Sequence, residues 1–169
     1  MPLYSVDGAA YRERVHKNKR PVDIDFDPEE LLYRRMSEKD FVEGEPFASA
    51  LQFGATTGHS VNRGRYSEPQ DVLEPDCCAG GIREGFLVVS FQVREIPEKL
   101  DTDDGRKFYF RMKHDPEETC YPHSAIWCNQ QGDISANYEE PPRTIKNRFR
   151  AEIARAIMRR DPLRFQPVH

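Results

Sequence analysis

The sequence predicts an α+β fold: a small antiparallel sheet with a long C-terminal amphipathic helix on one face and long polar loops. Three observations carry that expectation. Leu87, Val89, Phe91 and Val93 alternate with Val88, Ser90, Gln92 and Arg94, and Phe108, Phe110 and Met112 alternate with Lys107, Tyr109, Arg111 and Lys113. Period two is the signature of strands with one face buried. Ile145, Phe149, Ile153 and Ile157 recur every four residues, the apolar stripe of a helix. Thirteen prolines and ten glycines in 169 residues leave room for extended connections.

In chain order, residues 1–26 read as a charged arm and residues 27–169 as a single α+β domain. In the arm, Arg12, Arg14, Lys17, Lys19 and Arg20 run into Asp23, Asp25 and Asp27, opposed charges with few apolar residues between them. Leu31–Met36 fits a short helix or a strand equally well, and Ser37-Glu38-Lys39-Asp40 carries a capping pattern for a helical turn. Phe47, Ser49, Leu51 and Phe53 share one face of a predicted strand. Residues 54–66 have no hydrophobic period and read as a long structureless connection, a type often functional. Ser67-Glu68-Pro69-Gln70 starts a short helix that runs to Leu73. After the two alternating strands, Ser124–Cys128 is the third. Pro141-Pro142 opens the final helix, about nineteen residues or roughly 28 Å long, and Asp161-Pro162 closes it.

Composition excludes several classes. No apolar run reaches the ~20 residues of a membrane helix. The opening Met-Pro-Leu-Tyr-Ser-Val-Asp-Gly lacks the regions of a signal peptide. Cys77, Cys78, Cys120 and Cys128 match no zinc spacing, so four reduced thiols, a cytoplasmic location and no metal or cofactor are expected. The net charge of −4 hides a polarity: residues 143–164 hold eight basic and two acidic side chains, against seventeen basic and twenty-seven acidic in the rest. That net charge and the lack of a reading motif argue against nucleic acid. The basic helix, through Arg148, Arg150, Arg155 and Arg159, is expected to bind an acidic protein partner.

Two clusters could carry chemistry. His114-Asp115-Pro116-Glu117-Glu118 through His123 joins two predicted strands, so His114 and His123 fall near neighbouring strand ends. There, with Asp115 or His59, they could move a proton or hold a metal. The competing reading is helix-start chemistry, the pattern also found at Asp27–Glu30. His59, Ser60, Asn62, Arg63 and Arg65 offer guanidinium groups among small polar residues, suited to phosphate or carboxylate. Against this, Asn62 and Arg63 could simply tie the loop down.

Leu32-Tyr33-Arg34-Arg35, Ser49-Ala50 with Phe53, Ser60-Val61-Asn62-Arg63, the run Ser67–Leu73, His114-Asp115-Pro116 and His123-Ser124-Ala125-Ile126 resemble a group of short bacterial proteins without an assigned function, over about residues 30–160. The resemblance implies an intact small bacterial domain, carries no activity, and tips Leu31–Met36 toward an edge strand. Such an edge could support a homodimer. Two functions are expected to compete. One is a non-enzymatic cytosolic accessory protein bound to an acidic partner. The other is a small transferase or hydrolase acting on a nucleotide or phosphate-bearing substrate. The enzyme reading has a version that resembles a toxin-type ADP-ribosyl transferase, with Arg34 on one strand, Ser49 on another, Arg63 and Arg65 on phosphates, and Glu118 or Glu139 as the acid.

Overall fold

The computed structural model describes residues 20–53, 58–73 and 85–164. Among them, seven strands form one antiparallel sheet, a two-stranded hairpin stands apart, and one α-helix lies near the C-terminus. The strands are β1 (Leu31–Ser37), β2 (Phe41–Val42), β3 (Glu45–Pro46), β4 (His59–Arg63), β5 (Phe86–Gln92), β6 (Lys99–Asp101), β7 (Lys107–His114), β8 (His123–Asn129) and β9 (Leu163–Arg164). The large sheet runs β6-β7-β8-β4-β1-β5-β9, and β2 pairs with β3. In that small hairpin Glu43 and Gly44 have φ of 52° and 85°, the positive values of primed hairpin turns.

The helix α1 spans Arg143–Ile157, shorter than expected because the chain leaves helical bonding at Met158 before Asp161-Pro162. Ile145, Phe149, Ile153, Ala156 and Ile157 are buried in one cluster with Leu32, Val61, Leu87, Val89, Phe91, Phe108, Phe110 and Ile126 from the sheet. Phe149 stacks on Phe110 at 4.5 Å and meets Phe53 edge-on at 4.7 Å. Each such side chain contributes roughly 1.5–3 kcal/mol of burial.

The sheet corrects four expectations. Leu31–Met36 is a strand, but an interior one, paired with β4 on one side and β5 on the other, so it offers no edge for a homodimer. The edge strands of the large sheet are β6 and β9. The stretch expected to be structureless contains β4, at the centre of the sheet. Its polar residues conceal it, since they are buried by specific bonding instead of apolar contact. The strand expected over Phe47–Phe53 is a 3-10 turn at Ala48–Ala50, where Ser49 is exposed. Finally, Cys120 is disulfide-bonded, which overturns the expectation of four reduced thiols. Cys128 is a free thiol, and burial pushes its pKa up to about 12.

The charged arm also needs redrawing. Residues 20–30 are docked on the domain through Asp23, Asp25 and Glu30, because a buried arginine on β4 requires their oxygens. Arg12, Arg14, Lys17 and Lys19 lie outside the described residues.

Candidate functional site

Register divides the sheet into two faces, since directly paired residues point the same way. Leu32 pairs with Arg63, and Val61 with Ser124, which in turn pairs with His114. These residues share the face covered by α1 at one end and by residues 20–30 at the other. Tyr33, Asn62 and His123 lie on the opposite face. Over β1 and β5 that face is closed by the 3-10 turn Pro69–Leu73, whose Val72 and Leu73 pack on Tyr33 and Val88.

Between β1 and β4 the ladder is incomplete. The two strands share the pairs Leu32↔Arg63 and Tyr33↔Asn62 and no others, whereas β1 pairs with β5 along all seven residues. Past Tyr33 the strands splay apart, leaving a fork inside the sheet. The side chain of Arg34 crosses it, Nη1 donating to the Ser60 carbonyl at 2.8 Å. A cavity of about 310 Å³ occupies the fork, lined by Tyr33, Arg34, Arg35, Gln52, Gly58, Ser60, Val61, Asn62, Val72 and His123. That lining draws on both faces, as expected of an opening between two strands. Its size lies at the small end of ligand pockets. Gly58, at φ 72°, is required on one wall, because a Cβ there would stand 2.4 Å from the Ile126 carbonyl oxygen.

Arg34 is the unusual group in this lining. Its Nε is buried and bonded to nothing. No carboxylate lies within ion-pair distance of it among the described residues, and none lines the cavity. Burial, then the adjacent charge of Arg35, lowers its pKa to about 10, with Asp40 opposing. It remains a cation at neutral pH, one whose desolvation Asp40 offsets only in part.

Arg63, two strand positions beyond Val61, is its opposite. It is fully buried and saturated: Nε and Nη2 bond the Glu30 carboxylate at 2.8 and 2.9 Å, and Nη1 and Nη2 bond the carbonyls of Asp23 and Asp25 at 2.9 and 2.5 Å. Its Cζ lies 3.7 Å from the centre of the Phe26 ring. Burial works against its charge, but the Glu30 bond and the charges of Glu30 and Asp23 raise its pKa above the ordinary arginine value.

The expected anion site therefore comes apart. Ser60 and Asn62 line the cavity, while His59 and Arg63 point to the other face. Arg65 is bound to Asp23 at 3.1 Å. His59 is buried between Phe53 and Phe149, its Nδ1–H donating to the Gln52 carbonyl at 3.1 Å. Burial, with help from Arg34 and Arg150, depresses its pKa well below 6.5, against the Gln52 bond.

The expected histidine cluster separates in the same way. His114 and His123 do end β7 and open β8, but on opposite faces. His114 is buried beneath residues 20–30. His123 lines the fork, its Nδ1–H donating to the Asp115 carbonyl at 2.7 Å and its Nε2 standing 3.6 Å from Glu117. Among the described residues, no group of three or more His, Cys, Asp or Glu side chains could hold a metal. Glu118 is exposed in the β7–β8 connection, and Glu139 bonds β8 at the Cys128 carbonyl, so neither supplies an acid to the fork.

The four arginines expected to bind a partner, three on α1 and Arg159 just after it, have partners within the chain. Arg148 donates to the Asp101 carbonyl at 2.7 Å and Arg150 to the Leu51 carbonyl at 2.9 Å. Arg155 pairs with Glu152, and Arg159 joins Arg160 on Glu95 at 2.9 and 2.7 Å.

Tyr33, Arg35, Gln52, Gly58, Val61 and Val72 were absent from the sequence-based site. A Tyr-Arg-Arg run on a central strand is the signal that points to them, once β4 is placed beside it. No family model, curated protein or solved structure matches the chain.

Proposed function

We propose that the protein binds a small phosphate-bearing molecule in the β1/β4 fork, as a transferase or hydrolase would hold a nucleotide-sized substrate. The half-buried guanidinium of Arg34, with a buried Nε that has no hydrogen-bond partner and no ion pair among the described residues, carries this reading. A cation withdrawn from water without a counter-charge is costly, and an anionic ligand would offset that cost. Arginine's planar fork also suits phosphate. Ser60, Asn62 and Gln52 add neutral hydrogen-bonding groups, and His123 brings an imidazole, the side chain most often used for proton transfer, to the lining. The lining lacks a carboxylate, so transfer of ADP-ribose is the least supported version.

Calorimetric titration with inorganic phosphate, ADP and NAD tests the proposal. Saturable binding by at least one of them, weakened about tenfold or more by Arg34→Met, is the expected result for a charge-assisted contact. Binding that survives Arg34→Met unchanged, or no binding at all, overturns it.

The accessory-protein reading rests on the charge of α1. Inside the chain Arg155 and Arg159 pair with carboxylates, while Arg148 and Arg150 bond neutral carbonyls, so the charge that motivates this reading is met only in part. Among the described residues no helix is long and apolar enough to cross a membrane. The disulfide at Cys120 favours an oxidising compartment over the cytoplasmic one.

A further inference from the structure

The closed end of the fork is held by residues 20–30. Glu30 leads directly into β1 and grips Arg63 on β4. One residue on, the Gly64 amide donates to the Leu31 carbonyl at 2.7 Å. Asp23 is the hub of the remainder: its carboxylate accepts from Tyr66 and Arg65, lies 3.3 Å from Arg63, and its own amide donates to His114 Nδ1 at 2.9 Å. Arg20 lies over the rings of Tyr66 and Tyr121, and Tyr121 donates its hydroxyl hydrogen to the Pro21 carbonyl at 2.9 Å.

The hydrogen bonds of His114 determine its state. Nδ1 accepts from an amide, so it carries no proton. Nε2 lies 2.8 Å from the Tyr121 carbonyl, which can only accept, so Nε2 carries the proton. A second proton on Nδ1 would set one N–H against another and break the bond to Asp23. We propose that residues 20–30 are a pH-sensitive clasp on the closed end of the β1/β4 fork, released when His114 takes up that second proton. The clasp itself stands on these contacts; its consequence for a ligand rests on the fork reading above.

The groups around the ring are the carboxylates of Asp23 and Glu30, the guanidinium of Arg63, the Tyr66 ring stacked at 5.8 Å and the Tyr121 ring edge-on at 4.9 Å. Burial first, and then Arg63, hold His114 below its ordinary value of 6.5, while the Tyr121 bond and the two carboxylates oppose. A depressed folded pKa means the clasp is fully stable above about 6.5. It weakens as pH falls from there toward the folded value. Asp23 stays charged through that window, because the Tyr66 bond keeps its pKa below 3.8. Release removes the Asp23 and Asp25 oxygens from Arg63, and Leu32↔Arg63 is one of the two pairs tying β1 to β4. The fork then widens from its closed end.

Amide hydrogen exchange on the full chain tests the clasp without any ligand. Between about pH 7.5 and about pH 5.5, with intrinsic rates corrected, protection of the Asp23 amide should fall severalfold, up to the limit of about tenfold that one proton taken up near pH 6.5 allows. His114→Gln should hold its protection within about twofold over the same range, because a glutamine amide can accept from Asp23 and donate to Tyr121 without titrating. Unchanged protection in the natural protein, or an equal loss in His114→Gln, overturns the proposal. In case the variant folds poorly, NMR titration of His114 in the natural protein gives an independent measure. A midpoint below about 6.5 that coincides with the loss of Asp23 protection supports the clasp, and a midpoint at or above it overturns the clasp. Phosphate binding is measured separately at both pH values, so its absence would sink the fork reading and leave the clasp to be decided by exchange.

Discussion

Arg63 and Arg34 sit on adjacent strands within a few residues of each other, and the chain treats them in opposite ways. Arg63 is enclosed and saturated by Glu30 and the carbonyls of Asp23 and Asp25. Arg34 is half-buried with one bond, to the Ser60 carbonyl, and a buried Nε that meets nothing. The first is architecture, closing the fork where the ladder still holds. The second faces a cavity where the ladder has stopped. Burial of a charge is thus not by itself a sign of function; the lack of an ion-paired carboxylate among the described residues is what separates the two.

The largest effect should come from breaking the saturated member. Arg63→Met strands the Glu30 carboxylate, whose side chain is 5 % exposed, and should lower unfolding free energy by about 3–5 kcal/mol in urea titration. A loss below about 1 kcal/mol would mean that the other contacts of residues 20–30, not the ion pair, hold the junction. The opposite sign is expected at the other end. Arg34→Met should raise stability by about 0.5–2 kcal/mol while weakening phosphate binding, the trade expected of a site residue. Were Arg34→Met to destabilise as Arg63→Met does, the contrast between the two would collapse. The smallest effect belongs to the turn that follows α1. Arg159→Ala removes an exposed partner of Glu95, which keeps Arg160, and should cost no more than about 1 kcal/mol by thermal unfolding.

What could be read from the sequence follows the same division. β5 and β7 were legible because apolar and polar residues alternate along them, β8 as a short apolar run, and α1 because its isoleucines and Phe149 recur with helical spacing. β4 was not, because one of its faces lines a polar cavity and the other buries His59 and Arg63 through specific bonds. Neither face carries an apolar period. Arg34, Ser60, Asn62 and His123 were all singled out from the sequence, but in separate groups. Strand alternation then divided each group between the two faces. Only pairing, which one unaligned sequence does not display, joins Arg34 to Ser60 across the fork.

The two-rung junction between β1 and β4 has a consequence for how the chain assembles. It parts the seven-pair ladder of β1 with β5 from the ladders of β4 with β8 and β8 with β7, four and six pairs long. The seam runs beneath α1, whose Phe149 stacks on β7 and whose other buried residues share a cluster with β5. Sparse pairing of this kind marks where local opening begins in proteins, and α1, packed on strands of both sides, ties them together. A protein built this way can breathe along one internal line while both halves remain folded.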